Sequence, residues 1–244
     1  GIILFATACD IVSLEELESI DIPIYKVASR DMLNIPLLNK IIETKKEIII
    51  SSGMSDMEEL DYVVNILKES KSKFYLMQCT SAYPTPLENV NLNVIPTLQN
   101  RYNIPIGLSD HTSGVITSAL AICKGASLIE KHVTISRAMK GTDQSGSLEF
   151  IGMIKLIDYI NAARKALGDS EKKETKIINS AKEKLKRSLV LKMALKKGTV
   201  LTEDHFILKS PGTGLDYRKR NLVIGKKLIT DLDEDTLIKT SDVN

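Results

Sequence analysis

The segment that decides the fold is IPIGLSDHTSGVITSALAICKGASLIEKH, residues 104–132. It contains an apolar run that ends at His111, a helical stretch, and a second apolar run that ends at His132. This order is that of a βαβ unit in a parallel sheet. Adjacent parallel strands end side by side, so the two imidazoles are predicted to lie close enough to share a divalent ion. The alternative is that both are polar residues capping loops at strand ends.

The same rhythm runs through the first half of the chain. Six apolar runs begin 22 to 30 residues apart, the length of a βα unit. Ile48-Ile49-Ile50 is apolar at consecutive positions, as a strand buried on both faces requires. The runs are Ile2–Thr7, Ile24–Ser29, Glu47–Ser52, Phe74–Thr80, Ile104–Ser109 and Ser127–His132.

Six βα units do not close an eight-stranded barrel. The fold is therefore either an open doubly wound sheet or a (β/α)8 TIM barrel lacking about its first two βα units, and the start inside an apolar run favours the second.

The pattern changes near Gly168. A helix is predicted over 148–167, with Met153, Ile154, Ile157 and Ile160 inward and Gly168 ending it, so residues 1–168 form the first domain. Residues 169–186 are rich in Lys and Glu and are predicted to be a linker. Residues 187–244 are predicted to be a small β-rich domain, because short apolar segments alternate with turns. These segments are Ser188–Leu191, Phe206–Leu208, Leu222–Ile224, Lys227–Ile229 and Thr236–Ile238.

Composition narrows the class of protein. Of the 244 residues, 43% are hydrophobic and 26% charged, as in ordinary soluble globular proteins. A net charge of +2 gives no support for a nucleic-acid partner or an acidic membrane surface. No apolar run reaches the roughly 18 residues that a membrane span needs. The three cysteines lie far apart, which predicts free thiols in a reducing compartment and a cytoplasmic location.

Several short motifs follow one another in a fixed order. They are YKVAS (25–29), SSGM (51–54), QCTSAYP (78–84), GLSDH (107–111), EKHVT (130–134) and KGTDQSGSLE (140–149). The ordered set resembles the sialic acid synthase family, which condenses phosphoenolpyruvate with an N-acetylated hexose. The resemblance implies a (β/α)8 barrel followed by an antifreeze-like SAF (β-clip) domain. The tail segments Lys197–Thr199 and Pro211–Gly214 resemble that domain.

The resemblance also implies a metal site and an anion site. His111 and His132 would bind a divalent ion, Mn²⁺ or Mg²⁺, and leave room for substrate oxygen and water. Lys26 lies inside a predicted strand, where a buried ammonium group needs an anionic partner. The resemblance makes that partner phosphoenolpyruvate. Without the resemblance, an edge-strand lysine reaching solvent would be the better interpretation.

Further roles come from the same resemblance. Thr7, Ser29, Ser51 and Ser109 would join Lys26 around phosphoenolpyruvate, although each alone fits a helix N-cap equally well. Ser81, Tyr83 and Asp143 would contact the sugar. The catalytic candidates are Lys26, Glu130 and Asp143, with Glu130 acting in acid/base chemistry or supporting its neighbours. We expect the Glu130 side chain to point away from the His132 imidazole unless the strand end twists.

The implied reaction gives a sialic acid and phosphate from phosphoenolpyruvate and N-acetylmannosamine or its 6-phosphate. The alternatives are a legionaminic or pseudaminic acid synthase, or a non-catalytic remnant that acts as a binding module. A domain-swapped homodimer is implied, but Ser210 stands where many family members have an arginine that reaches the partner's site. Because two βα units with active-site residues have no counterpart here, we expect the chain as written to be poorly stable and inactive.

Overall fold

The computed structural model describes residues 1–244, which form two compact units, Gly1–Asp169 and Ser170–Asn244. The residues predicted to be a linker, 169–186, contain a 3₁₀ turn at Lys176–Ile178 and a short helix, α7, at Asn179–Leu185. All but the first of them fall within the second unit.

A six-stranded parallel sheet forms the centre of the first unit. Its strands are β1 (Ala6–Thr7), β2 (Ile24–Val27), β3 (Glu47–Ser51), β4 (Phe74–Cys79), β5 (Ile106–Asp110) and β6 (Ile129–Lys131). Spatial order follows chain order from β1 to β6. A doubly wound sheet reverses its strand order at a switch point, whereas a TIM barrel does not. The structure therefore supports the (β/α)8 architecture. Only Ala6–Thr7 of the first predicted run is strand.

Six helices connect or follow these strands. They are α1 (Ile11–Ser19), α2 (Ile35–Glu43), α3 (Met57–Glu69), α4 (Val94–Tyr102), α5 (Ile116–Cys123) and α6 (Phe150–Leu167). Local sequence explains α3 well: Asp56 accepts from the Glu59 amide at 3.0 Å, and Glu59 accepts from the Asp56 amide at 3.0 Å. This reciprocal capping box satisfies two amides at the helix start. None of the helices is long and apolar enough to cross a membrane.

The predicted inward face of α6 was wrong in part. Ile154 and Ile157 are 46% and 52% exposed, whereas Leu156 is buried. Ile160 and Ala163 are half-buried and pack with the core. The buried stripe therefore follows the i, i+4, i+7 spacing from Leu156. Several helical phases fit a segment this rich in apolar residues, and packing against α5 selects one of them.

Continuous apolar strands and the inner faces of the helices form the core of the first unit. Tyr25, Ile48 and Ile50 on the central strands are all fully buried. The cysteines are free, as predicted, with Cys79 buried and Cys9 and Cys123 exposed.

The second unit is less regular than its apolar segments suggested. Two strands, β7 (Ser188–Leu191) and β8 (Phe206–Lys209), pair antiparallel. Of the other three predicted strands, Lys227–Ile229 and Thr236–Ile238 contribute only isolated bridges, and Leu222–Ile224 contributes none. The segments still build a separate core of Leu189, Leu191, Leu201, Val223, Leu228, Ile238 and Val243.

Removal of side-chain volume from the central strand β3 tests this packing. Ile50 is fully buried, so Ile50→Ala should lower the free energy of unfolding by about 2–5 kcal/mol. Ile157→Ala, on an exposed face of α6, is the matched control and should change it by less than about 1 kcal/mol. Urea unfolding followed by circular dichroism measures both. Equal losses from the two variants would contradict the described core.

Candidate active site

A cavity of about 470 Å³ opens where the parallel strands end. Its wall contains nine of the predicted site residues, namely Thr7, Lys26, Ser29, Ser51, Tyr83, Ser109, His111, Glu130 and His132. Every strand contributes to it, because parallel strands in one register deliver their carboxyl ends to the same edge of the sheet. Ser81 and Asp143 do not line this cavity.

Lys26 is a nearly buried residue in the wall of the cavity. The residue is only 7% exposed, which excludes the interpretation of an edge-strand lysine reaching solvent. Its Nζ donates to Ser51 Oγ at 2.7 Å and to the Val27 carbonyl oxygen at 3.1 Å. The carboxylate of Glu130 is 3.5 Å away. A buried ammonium with polar partners that face an open cavity is an anion-binding arrangement.

The expected orientation of Glu130 was wrong. Its Oε1 accepts the Ser109 hydroxyl at 2.6 Å, and both residues line the cavity together with His132. Residues two positions apart on a strand share a face, so Glu130 and His132 point the same way. Glu130 therefore lies among the polar groups of the site and bridges Ser109 and Lys26.

The two histidines are brought together as predicted. Their ring centroids are 5.1 Å apart at an interplanar angle of 89°. The Tyr83 ring lies against both, with centroid distances of 4.2 Å to His111 and 5.8 Å to His132. Burial together with the nearby acidic groups Cys79, Asp143 and Glu130 raises the pKa of Tyr83, so its hydroxyl stays protonated and can donate.

The hydrogen bonds of the imidazoles fit a divalent cation. His111 Nδ1 is 3.1 Å from the Thr80 carbonyl oxygen, which only accepts, so Nδ1 carries the proton. His132 Nδ1 is 3.2 Å from a carboxylate oxygen of Asp143, and the same reasoning applies. In the neutral form of each ring, a proton on Nδ1 leaves the lone pair on Nε2, the nitrogen that would then bind a metal. The chain supplies no group of three or more His, Cys, Asp and Glu spaced for a metal.

Asp143 lies outside the wall of the main cavity. Its carboxylate contacts His132 Nδ1, and the residue borders a void of about 10 Å³ together with Tyr83 and Gly146. In this position it orients an imidazole.

Sequence reasoning did not assign Cys79 to the site. Its Sγ lines the cavity and lies 3.9 Å from His111 Nδ1 and 3.8 Å from Ser29 Oγ. Its position at the end of a predicted strand was the available signal. The neighbouring Gly53 donates its amide to Ser29 Oγ at 3.0 Å, and a Cβ there would lie 2.7 Å from Cys79 Sγ. Ser81 Oγ is buried beside Gly53 without a hydrogen-bond partner.

A buried ion pair lies beside the histidines. Lys131 Nζ is 3.1 Å from Asp110 Oδ2, and both side chains are essentially inaccessible. Burial alone raises the pKa of Asp110, but hydrogen bonds from Ser118 and Thr117 and the Lys131 charge bring that pKa below its usual value. Burial lowers the pKa of Lys131 in spite of the Asp110 charge.

Known proteins resemble the chain over both units. Human N-acetylneuraminate-9-phosphate synthase is 35% identical over 241 residues, covering 98% of this chain and 67% of the human protein. The N,N'-diacetyllegionaminic acid synthase of Campylobacter jejuni is 33% identical over 242 residues, covering 98% of this chain and 72% of that enzyme. The structure of the N-acetylneuraminic acid synthetase of Leptospira borgpetersenii, in complex with citrate, matches with a TM-score of 0.70 at 36% identity. That match covers 74% of this chain and 63% of the Leptospira chain.

The family assignment follows from these matches and from two domain matches. Residues 1–172 match the NeuB family, and residues 186–244 match the SAF domain. The chain spans roughly two thirds of the length of the relatives described above. With the strand order, the cavity and these similarities in agreement, the chain belongs to the NeuB family and carries a SAF domain after its barrel strands.

Proposed function

We propose that this protein is a sialic-acid-type synthase, which condenses phosphoenolpyruvate with an N-acetylated hexose and releases phosphate. Its named relatives are sialic, legionaminic and pseudaminic acid synthases, transferases that form a C–C bond. The observation that carries the proposal is one cavity whose wall contains both a buried ammonium group and two adjacent imidazoles. These groups suit an anionic enol phosphate and a carbonyl acceptor.

Lys26 and Ser51 form the anion side of the proposed site. Their donors, 2.7 Å apart and nearly buried, suit the carboxylate and phosphate oxygens of phosphoenolpyruvate. Thr7 and Ser29 add hydroxyls on the same wall. Because the Lys26 charge is already balanced by Glu130, binding an anion redistributes contacts around an existing pair.

The histidine pair, His111 and His132, forms the metal side of the proposed site. His111 and His132 would hold a divalent cation, Mn²⁺ or Mg²⁺, which supplies Lewis-acid polarisation of the sugar aldehyde oxygen when bound. The residues of the chain hold the reactants close, so that C3 of phosphoenolpyruvate forms a bond to the aldehyde carbon. The aldehyde oxygen takes up a proton and becomes a hydroxyl group. Water adds at C2, and as the C2–O bond to phosphate breaks, the new C2 hydroxyl loses its proton and becomes the keto group. We assign acceptance of the proton of that water to Glu130, because its carboxylate lines the cavity.

The favoured sugar is N-acetylmannosamine or its 6-phosphate, and Tyr83 is the aromatic wall proposed to contact it. Ser81 and Asp143 would act on the sugar site indirectly. Ser81 is buried beside Gly53, and Asp143 contacts His132. The homodimer stays a prediction, which analytical ultracentrifugation would test. The role of Ser210 stays a prediction as well, which mutagenesis of this residue would test.

A panel of acceptor sugars tests the function. The protein, with any upstream sequence its gene encodes, is incubated with phosphoenolpyruvate, Mn²⁺ and each sugar, and 2-keto acid and phosphate are measured. The panel contains N-acetylmannosamine, its 6-phosphate, and the diacetamido precursors of legionaminic and pseudaminic acid.

We expect equal amounts of keto acid and phosphate with N-acetylmannosamine or with its 6-phosphate. Activity only with a diacetamido sugar identifies the alternative synthases, and no activity with any sugar contradicts the proposal. Full activity of residues 1–244 alone would show that the expected inactivity was wrong.

Loss of the buried ammonium group tests the anion side. Lys26→Met should lower kcat/KM for phosphoenolpyruvate by about 10–100-fold, because charged hydrogen bonds to the anion are lost. Lys40→Met removes an exposed ammonium group and is the matched control, with no change expected. Steady-state kinetics measure both. Unchanged kinetics for Lys26→Met would place the anion elsewhere.

The three histidines provide a test of the metal side. His111→Ala and His132→Ala should each weaken Mn²⁺ binding by about 100-fold or more, because each removes one of two protein ligands. His205→Ala, in the second unit, should bind like the unchanged protein. Mn²⁺ titration followed by electron paramagnetic resonance measures the affinities. Equal affinity in all three variants would exclude the pair as ligands.

A further inference from the structure

The Asp110–Lys131 ion pair is the most thoroughly buried charged pair next to the site, and it lines none of the main cavity. Burying two charges costs several kcal/mol per ion, and such a pair adds little stability over apolar side chains of similar volume. Its presence beside the histidines therefore requires a reason other than stability.

The pair belongs to a network in which each polar atom has partners. Asp110 Oδ2 accepts from Thr117 Oγ1 and from Ser118 Oγ, both at 2.6 Å, and Oδ1 accepts from the Thr112 amide at 2.9 Å. Lys131 Nζ donates to the Thr112 carbonyl oxygen at 2.5 Å. The network therefore joins the end of β5, the start of α5 and the end of β6 through directional contacts, which rigidify a buried region.

The position of the network in the sheet links it to the imidazoles. Asp110 and Lys131 are the last registered partners of the β5–β6 pair, and each is followed directly by a histidine. His111 and His132 thus lie one residue beyond the last pair of the ladder. Because side chains alternate along a strand, the ion pair faces α5 while the imidazoles face the cavity.

We propose that the Asp110–Lys131 ion pair is a positioning device that holds the strand ends of His111 and His132 at one separation, so that both Nε2 atoms meet one divalent cation. This inference rests on the proposed function, since it concerns the same metal side. Neither residue is a catalytic residue, because each acts through the neighbouring histidine. A purely structural pair would affect unfolding and leave metal affinity in the folded protein unchanged.

The decisive variant removes both charges and keeps the volumes, Asp110→Asn together with Lys131→Met. It leaves no unpaired buried charge, so the fold should be retained. We expect Mn²⁺ affinity to fall by about 10–100-fold, as for other residues that orient metal ligands. The electron paramagnetic resonance spectrum of bound Mn²⁺ should also change. A folded double variant with unchanged affinity and spectrum would overturn the proposal.

Two further variants complete the comparison. Glu47→Gln together with Lys73→Met removes a cross-strand pair with a 2.9 Å contact at the opposite end of the sheet and should leave Mn²⁺ binding unchanged. Lys131→Arg keeps the charge but replaces the compact ammonium that contacts Thr112. We expect it to fold and to bind Mn²⁺ at least about threefold more weakly. If the double variant does not fold, unchanged binding by Lys131→Arg overturns the proposal.

A metal-free measurement separates this inference from the proposed function. With ring centroids 5.1 Å apart, the His111 and His132 ring protons should show a nuclear Overhauser effect in the unchanged protein. We expect that effect to weaken in the Asp110→Asn, Lys131→Met variant. An unchanged effect contradicts the positioning role. If the unchanged protein does not bind Mn²⁺ while the ring contact still depends on the pair, the metal site fails and the positioning role stands.

Discussion

Backbone hydrogen bonds between parallel strands fix the register of the strands and therefore the positions at which they end. The geometry of the site depends on this register. Ser109 is the registered partner of Glu130, and Asp110 is the partner of Lys131. A slip of β6 by one residue in this register would turn the Glu130 carboxylate and the His132 imidazole away from the cavity. The continuous apolar strands and their buried helices hold the register, so the hydrophobic core indirectly sets the distances between polar groups more than 20 residues apart.

The cavity carries an electrostatic cost that the core has to offset. Lys26 is almost inaccessible, and its ammonium group contacts Ser51 and Glu130 of two other strands in the cavity wall. Groups arranged in this way would need little reorganisation to receive an anion, because their dipoles and charges are already oriented. The same arrangement stabilises the folded protein less than apolar side chains would.

The features that the sequence predicted correctly all follow from the geometry of a buried parallel sheet. Strands buried on both faces must be largely apolar, so the runs of β2 to β5 were visible. The convergence of the two histidines was visible because the ends of parallel strands meet at one edge of the sheet. The inward face of α6 was not, since Ile154 and Leu156 are both apolar and only packing against α5 distinguishes them. Cys79 and Gly53 were also missed as site groups, because their importance comes from contacts with Ser29 that no local pattern shows. In the second unit, short apolar segments build a core through isolated bridges, and period-2 patterns do not separate bridges from strands.

The two imidazoles are held by different kinds of structure. His111 is 7% exposed and is fixed through Nδ1 to the Thr80 carbonyl oxygen, a backbone atom directly after β4. The His132 side chain is 37% exposed and contacts Asp143, a side chain 44% exposed in the loop between β6 and α6. The backbone contact constrains His111 more tightly than a side chain on an exposed loop constrains His132. Any rearrangement of that loop around a sugar would therefore move His132 and leave His111 in place. In the proposed synthase, Asp143 would thus link the position of His132 to this loop without lining the main cavity itself.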